Sequence, residues 1–254
     1  MTVIRNLKGW QPDKPDRRDY LFRSFRLSTG KLPESVDLRN YSPSCLDQGD
    51  LGACTAFAIG GLSEFLQLKD GLDLERVSEL FLYYNERKAE GTVNYDAGAS
   101  IRTGIKSLVK DGICSNELWP YETSKFKKKP TTKAYRDALK HQVQSYYRLQ
   151  TLTDFKQCLS DSFAFCGGIA VYESFMSDDV ASSGIVPYPA RGEQLLGYHA
   201  IEIYGYNDIT QTFLCKNSWG DSWGMEGFFT LPYKYLTNSR LFSDAWTIRS
   251  QELY

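Results

Sequence analysis

The sequence predicts an α+β protein of two lobes, helical first and strand-rich second, because three textures follow one another along its 254 residues. Residues 1 to about 31 are charged and proline-punctuated, with no sustained helical or strand period. From Leu32 to about residue 140, apolar residues recur at helical spacing between serine or threonine starts and glycine stops. After about Ser162, runs rich in β-branched and aromatic residues alternate with Gly, Asn and Asp. Helices grouped ahead of strands make an α+β architecture rather than an alternating α/β one.

The first segment, through Trp10-Gln11-Pro12-Asp13-Lys14-Pro15-Asp16-Arg17-Arg18-Asp19-Tyr20, reads as an extension that becomes ordered only by lying on the rest of the chain. Trp10, Tyr20, Phe22 and Phe25 are its apolar anchors. Leu32 to Leu38 is extended, and a loop carrying Gly49 and Gly52 follows. A helix starts at Cys54, with Ala58, Leu62, Phe65 and Lys69 at helical spacing and a stop at Gly71. Ser78 opens a second helix over Glu79 to Lys88. Ser100 caps a third, ended by Gly112. Thr131 to His141 and Asp154 to Ser160 are shorter helices. Strands are expected over Phe163 to Val171, Ala200 to Tyr206, Thr212 to Lys216 and Gly227 to Leu231. The organisation is thus an extension over 1–31 and one domain over 32–254, helical mainly in 45–140 and β mainly in 141–254.

Composition excludes several classes. Thirty Lys+Arg against 31 Asp+Glu leave a net charge of -1, so no global field draws nucleic acid or an anionic membrane. The one basic run, Lys125 to Lys129, reads as a solvated loop. No apolar stretch suits a signal peptide or a membrane span, so the chain reads as soluble, with its compartment left open between the cytoplasm and export by a route not visible here. The six cysteines and two histidines contain no closely spaced ligand pairs, so no metal site is expected. With one cysteine set aside as a reactive thiol, the other five cannot all pair, which favours a reducing compartment.

The segment Asp47-Gln48-Gly49-Asp50-Leu51-Gly52-Ala53-Cys54 carries the chemistry. A cysteine at a helix N-terminus meets unpaired N–H groups and the positive end of the helix dipole, which favour the nucleophilic thiolate. Glycines at 49 and 52 allow close approach of a bound backbone. The Gln48 amide and the Cys54 N–H are two donors for an oxyanion. By itself the segment fits a buried structural cysteine equally well. A thiolate needs a base. His141, among Lys140, Gln142 and Gln144, reads as a surface histidine, whereas His199 opens a strand. If Tyr206 to Thr210 is a five-residue hairpin loop, Gly205 faces Gln211 and His199 faces Asn217, whose amide oxygen then orients the imidazole. Trp219 is placed to shield that bond from water.

These residues carry a resemblance. Gln48 with Cys54-Thr55-Ala56-Phe57-Ala58, then Gly197-Tyr198-His199-Ala200, then Lys216-Asn217-Ser218-Trp219-Gly220 through Gly227-Phe228 resemble the papain family of cysteine peptidases in content, order and spacing. Gly9 to Asp19 is similar to the leader of the bacterial-type branch typified by xylellain. The resemblance spans about Leu32 to Leu231. It implies a papain-like fold with a helical left lobe carrying Cys54, a β-barrel-like right lobe carrying His199 and Asn217, and the cleft between them. It also implies that Ala97-Gly98-Ala99-Ser100 pairs with substrate backbone, through Gly98. Ala97, Gly52 and Trp219 are further expected substrate contacts. The sequence departs from papain at Ala53, Thr55 and Tyr198, and it lacks the cysteines flanking papain's glycine-rich subsite loop.

The expected activity is hydrolysis of a peptide or protein substrate through a Cys54 thiolate, a His199 base and a thioester, by a monomer needing no metal or organic cofactor. A transferase or deamidase at the same site, or a silent binding protein, are the alternatives. Residues 1–31 are expected to lie across the cleft and lower activity, as in a zymogen.

Overall fold

A computed structural model describes residues 7–22 and 31–251, without the side chains of the last two. In chain order the elements are β1 (Ser35–Asp37), α1 (Cys54–Lys69), α2 (Glu79–Glu90), α3 (Ile101–Asp111), α4 (Thr132–Ala138), β2 (Val143–Leu149), α5 (Leu152–Ser160), β3 (Phe165–Tyr172), α6 (Asp178–Ser183), β4 (Leu195–Asn207), β5 (Thr212–Lys216), β6 (Phe228–Pro232), α7 (Tyr233–Leu236) and β7 (Phe242–Gln251).

Local chemistry sets the helix starts. The Ser78 side chain accepts the Phe81 N–H at the head of α2, Ser100 accepts Thr103 N–H at α3, and Thr131 accepts Ala134 N–H at α4. Thr151 and Asp154 form a reciprocal capping box on α5. Gly91 ends α2 in the left-handed region. α1 is different: Cys54 through Gln67 are all buried. A helix covered on every side has no polar face to display, and its run of Ala, Phe, Ile, Gly and Leu fits that place.

The second lobe is one antiparallel sheet in the order β2-β7-β3-β4-β5-β6, with β1 added to β4. Among the described residues β2 and β6 do not pair, so the sheet is unclosed, and with the helices ahead of it the architecture is the expected two-lobed α+β one. α1 packs across β3, β4 and β7 and joins the lobes. No helix among the described residues is long and apolar enough to cross a membrane.

Several expectations need correction. β2 and β7 were not anticipated: β2 reads Val-Gln-Ser-Tyr-Tyr-Arg-Leu with little alternation, and β7 is interrupted by Asp244 at φ +57°. The hairpin register also differs. Asn207 faces Thr212 and Gly205 faces Leu214, then a bulge shifts the pairing so that Ile203 faces Cys215. The loop is tighter than five residues because Asn207 Oδ1 accepts the N–H groups of Ile209 and Thr210. His199 therefore faces Ile169 of β3, and not Asn217, in the ladder. His141 is not a surface residue but is buried, its Nε2 3.5 Å from Glu75 Oε2. In the extension, Trp10 and Phe22 are buried anchors, whereas Tyr20 is 63% exposed. Phe25 lies outside the described residues.

Candidate active site

Cys54 is the first residue of α1, and its Sγ accepts the backbone N–H of Ala200 at 3.3 Å, which sets His199 beside it. His199 is fully buried, and its Nε2 lies 2.8 Å from Asn217 Oδ1. That oxygen also accepts the Ser218 N–H at 2.8 Å, which identifies it as the acceptor end of the amide. His199 Nε2 must therefore be the donor, and in the neutral ring the lone pair sits on Nδ1. Asn217 reaches His199 from beyond the end of β5, so a contact expected from strand pairing is made by a side chain folding back. Trp219 covers it, its ring 5.0 Å from the imidazole.

Gln48 is buried at the same wall. Its Oε1 accepts from Ser218 Oγ at 2.5 Å and its Nε2 donates to Leu51 O at 2.9 Å, so the donor end points into the loop ahead of Cys54. The two loop glycines differ in purpose. Gly49, at φ +61°, has open space where a Cβ would sit, so it serves the turn and not close approach. Gly52 gives its N–H to the Asp96 carboxylate at 3.1 Å and presents its carbonyl to the cleft.

Residues Leu7 to Phe22 form a strap laid over this site. Leu7 O accepts Tyr198 N–H at 2.7 Å on the β side. Gly9 O accepts Ala99 N–H, and Ala99 O accepts Gln11 N–H, both at 2.9 Å, on the helical side. Gln11 Nε2 donates to Ala97 O at 3.2 Å. The crossing falls on Gly9, where an added Cβ would stand 2.5 Å from Cys54 Sγ and 3.0 Å from Gly52 O, so only glycine fits. Gly98, at φ +68°, lies under the Lys8 and Gly9 carbonyls, and its N–H is held by Tyr83 Oη at 3.1 Å. The residue of this wall that pairs with the strap is Ala99, next to Gly98. Trp10 fills a pocket beside His199: Gly168 leaves room for its indole, and Tyr198 meets it edge-on at 5.7 Å.

Farther along, Asp13 and Asp19 enter a buried charge cluster. Arg102 grips Asp19 with Nε at 2.8 Å and Nη2 at 2.6 Å, and Arg148 Nη1 reaches the same carboxylate at 2.8 Å. Asp13 accepts the Trp246 indole N–H at 3.0 Å and the Arg102 backbone N–H at 3.1 Å, and its own N–H goes to Asp244 Oδ2 at 2.7 Å. Tyr20 O and Phe22 N–H then pair with Arg148, extending the edge of β2. Under this cover, burial pushes the Cys54 thiol up to about 12, against the Ala200 N–H, which favours thiolate.

Asp96, Tyr83 and the arginine cluster escaped the sequence reading, which gave Ala99 and Ser218 only as members of their motifs, with no role of their own. For Ser218 the signal was its place beside Asn217, and its role is the bond to Gln48.

A helix-borne thiol, an imidazole oriented by a carboxamide and a cleft between a helical lobe and an antiparallel sheet define a cysteine peptidase. The chain belongs to the papain family: the model for papain family cysteine protease matches residues 32–245. An uncharacterized peptidase C1-like protein, L477, of Acanthamoeba polyphaga mimivirus is 38% identical over 274 aligned residues, covering 98% of this chain and 88% of that protein. Cathepsin B-like CP2 of Giardia intestinalis is 28% identical, over 91% of this chain and 76% of its own. Among solved structures, xylellain, a cysteine protease from Xylella fastidiosa, superposes with TM-score 0.89 at 35% identity, covering 97% of this chain and 98% of that one. Digestive procathepsin L 3 of Tenebrio molitor larval midgut shares the fold at TM-score 0.71 and 19% identity, over 98% and 76% of the two chains.

Proposed function

We propose that Cys54 is the nucleophile of this cysteine peptidase, His199 its base, Asn217 the orienter of the imidazole and Gln48 an oxyanion donor, and that residues 7–22 hold the enzyme latent. The observation that carries the reading is Gly9 seated over Cys54 Sγ in a cleft where His199 and Asn217 are already aligned. Once the strap lifts, water returns to the thiol and the α1 N-terminus favours thiolate. The thiolate attacks the substrate carbonyl, the imidazolium protonates the leaving amine, and His199 then activates water against the thioester. The Cys54 N–H and Gln48 Nε2 stabilise the developing oxyanion. The strap escapes this fate because the Gly9 carbonyl is held by Ala99 N–H on the helical wall, away from the oxyanion donors.

An epoxysuccinyl thiol reagent applied to the full chain carrying Trp10→Ala is expected to place its adduct on Cys54 and to react more slowly with the unsubstituted chain. An adduct on any of the other five thiols, all of which burial pushes up, would contradict the assignment.

Strap docking carries a pH dependence. Burial raises Asp13 above its ordinary 3.8, outweighing its bonds from Trp246 and Arg102. Burial, and then Asp13, push Asp244 up to about 6. Burial also raises Asp19, but the bonds from Arg102 and Arg148 more than reverse that and leave it below 3.8. The raised pair binds protons more readily when docked, so its contribution is full below 3.8 and is lost as pH rises through about 6. Asp19 contributes above 3.8, and that contribution is lost as pH falls below it. Docking is therefore tightest near pH 4 and weakens as pH rises from about 4 through about 6. The activity of the full chain divided by that of its Trp10→Ala variant, which cancels the titration of Cys54 and His199, should be lowest near pH 4 and rise as pH increases through about 6. A ratio independent of pH would exclude the coupling.

A further inference from the structure

We infer that the uncovered enzyme carries a carboxylate-binding exosite, built from Arg102, the Trp246 indole N–H and Arg148, which recruits acidic segments of its peptide substrates. The inference rests on the peptidase reading of the cleft and concerns which substrates it takes.

Among the described residues, every hydrogen bond of the Arg102 guanidinium goes to the strap: Nε and Nη2 to Asp19, and Nη1 to Lys14 O at 2.6 Å. Arg148 differs, because Nη2 also holds Asp244 of β7 at 2.6 Å. Docked, three carboxylates face two guanidiniums. When the strap leaves, Asp13 and Asp19 go with it, and two guanidiniums remain against Asp244 alone. A guanidinium does not shed its proton, so it must find another anion or water. The Arg102 side chain is only 11% exposed while docked and packs 5.9 Å from the Trp246 ring, which fixes the fork. The Trp246 N–H and the Arg102 backbone N–H, both now on Asp13, are released on the same side. Neutral planar donors and a fixed fork together match a carboxylate.

The location selects the ligand. The strap passes from Gly9 over the thiol to Trp10 in its pocket and reaches the cluster at Asp13, three residues on. Three extended residues span about 10 Å. A peptide seated in the cleft with a side chain in the Trp10 pocket thus carries an acidic residue at that distance to the place of Asp13, on the Trp246 indole N–H and the Arg102 backbone N–H and 3.9 Å from the Arg102 guanidinium. The strap is a resident copy of such a ligand.

The test uses the full chain with Trp10→Ala, Asp13→Asn and Asp19→Asn, which frees the cleft and the exosite together. Two peptides share one cleavable core with a large apolar residue for the pocket, and carry either Asp or Asn three positions from it, on each side in turn. The Asp peptide on one side is expected to show kcat/KM roughly tenfold above its Asn partner, gained through KM. Adding Arg102→Gln should lower that ratio toward one, leaving what the Trp246 and residue 102 N–H groups supply. Equal kcat/KM for Asp and Asn peptides on both sides overturns the exosite. If neither peptide is turned over, the peptidase reading has failed separately, and fluorescence anisotropy with the same peptides decides the exosite: tighter binding of an Asp peptide upholds it, equal binding overturns it.

Discussion

Cys54→Ala, introduced into the full chain that also carries Trp10→Ala, should lower kcat for peptide hydrolysis by roughly 10⁵-fold or more, to the detection limit. The loss is large because the acyl intermediate needs the thiolate; the remaining donors, Gln48 and the residue 54 N–H, only bind. Folding should survive, since exchanging a buried sulfur for hydrogen leaves a small void costing about 1 kcal/mol, and a thermal melt checks this. His199→Ala should lower kcat nearly as far, and the double variant hardly further, because nucleophile and base act as one unit. Peptide turnover retained by Cys54→Ala would remove Cys54 from the chemistry.

Trp10→Ala alone should have the second largest effect, and in the opposite direction. Trp10 is 3% exposed in a pocket beside His199, and it is the largest apolar group the strap inserts near the thiol. Truncating a buried tryptophan costs docking about 3 kcal/mol, which raises the open fraction by up to about 100-fold. Peptidase rates of the full chain and the variant measure this directly. Tyr20→Ala is the contrast: that ring is 63% exposed and meets Tyr146 edge-on at 5.7 Å, so its removal should leave the rate within about twofold. Equal rates for the full chain and Trp10→Ala would mean that the strap does not restrain the enzyme.

The same contrast marks what was legible beforehand. Trp10 and Tyr20 look alike in sequence, both aromatic within a polar, proline-rich stretch, yet one is buried and the other faces solvent. Their difference depends on Gly168, 158 residues beyond Trp10, whose missing Cβ makes the pocket. The hairpin misled for a related reason. The side-chain bonds of Asn207 shortened the loop and a bulge moved the ladder, yet His199 and Asn217 still met, because Asn217 reaches back from beyond the strand. The expected partnership was right and its expected backbone cause was not.

The sequence by itself determined the order of the candidate reactive groups and the helix starts that present them. Ser78, Ser100 and Thr131 cap within one turn, and Cys54 meets the head of α1, through forces that need only neighbouring residues. Only the tertiary structure decided that Gly9 sits on the thiol, that His141 is buried, that the sheet stays open and that Asp13 and Asp19 close on Arg102 and Arg148. Those arrangements join residues scores of positions apart, and their free energy comes from burial and desolvation shared among several elements at once. No local pattern carries that information.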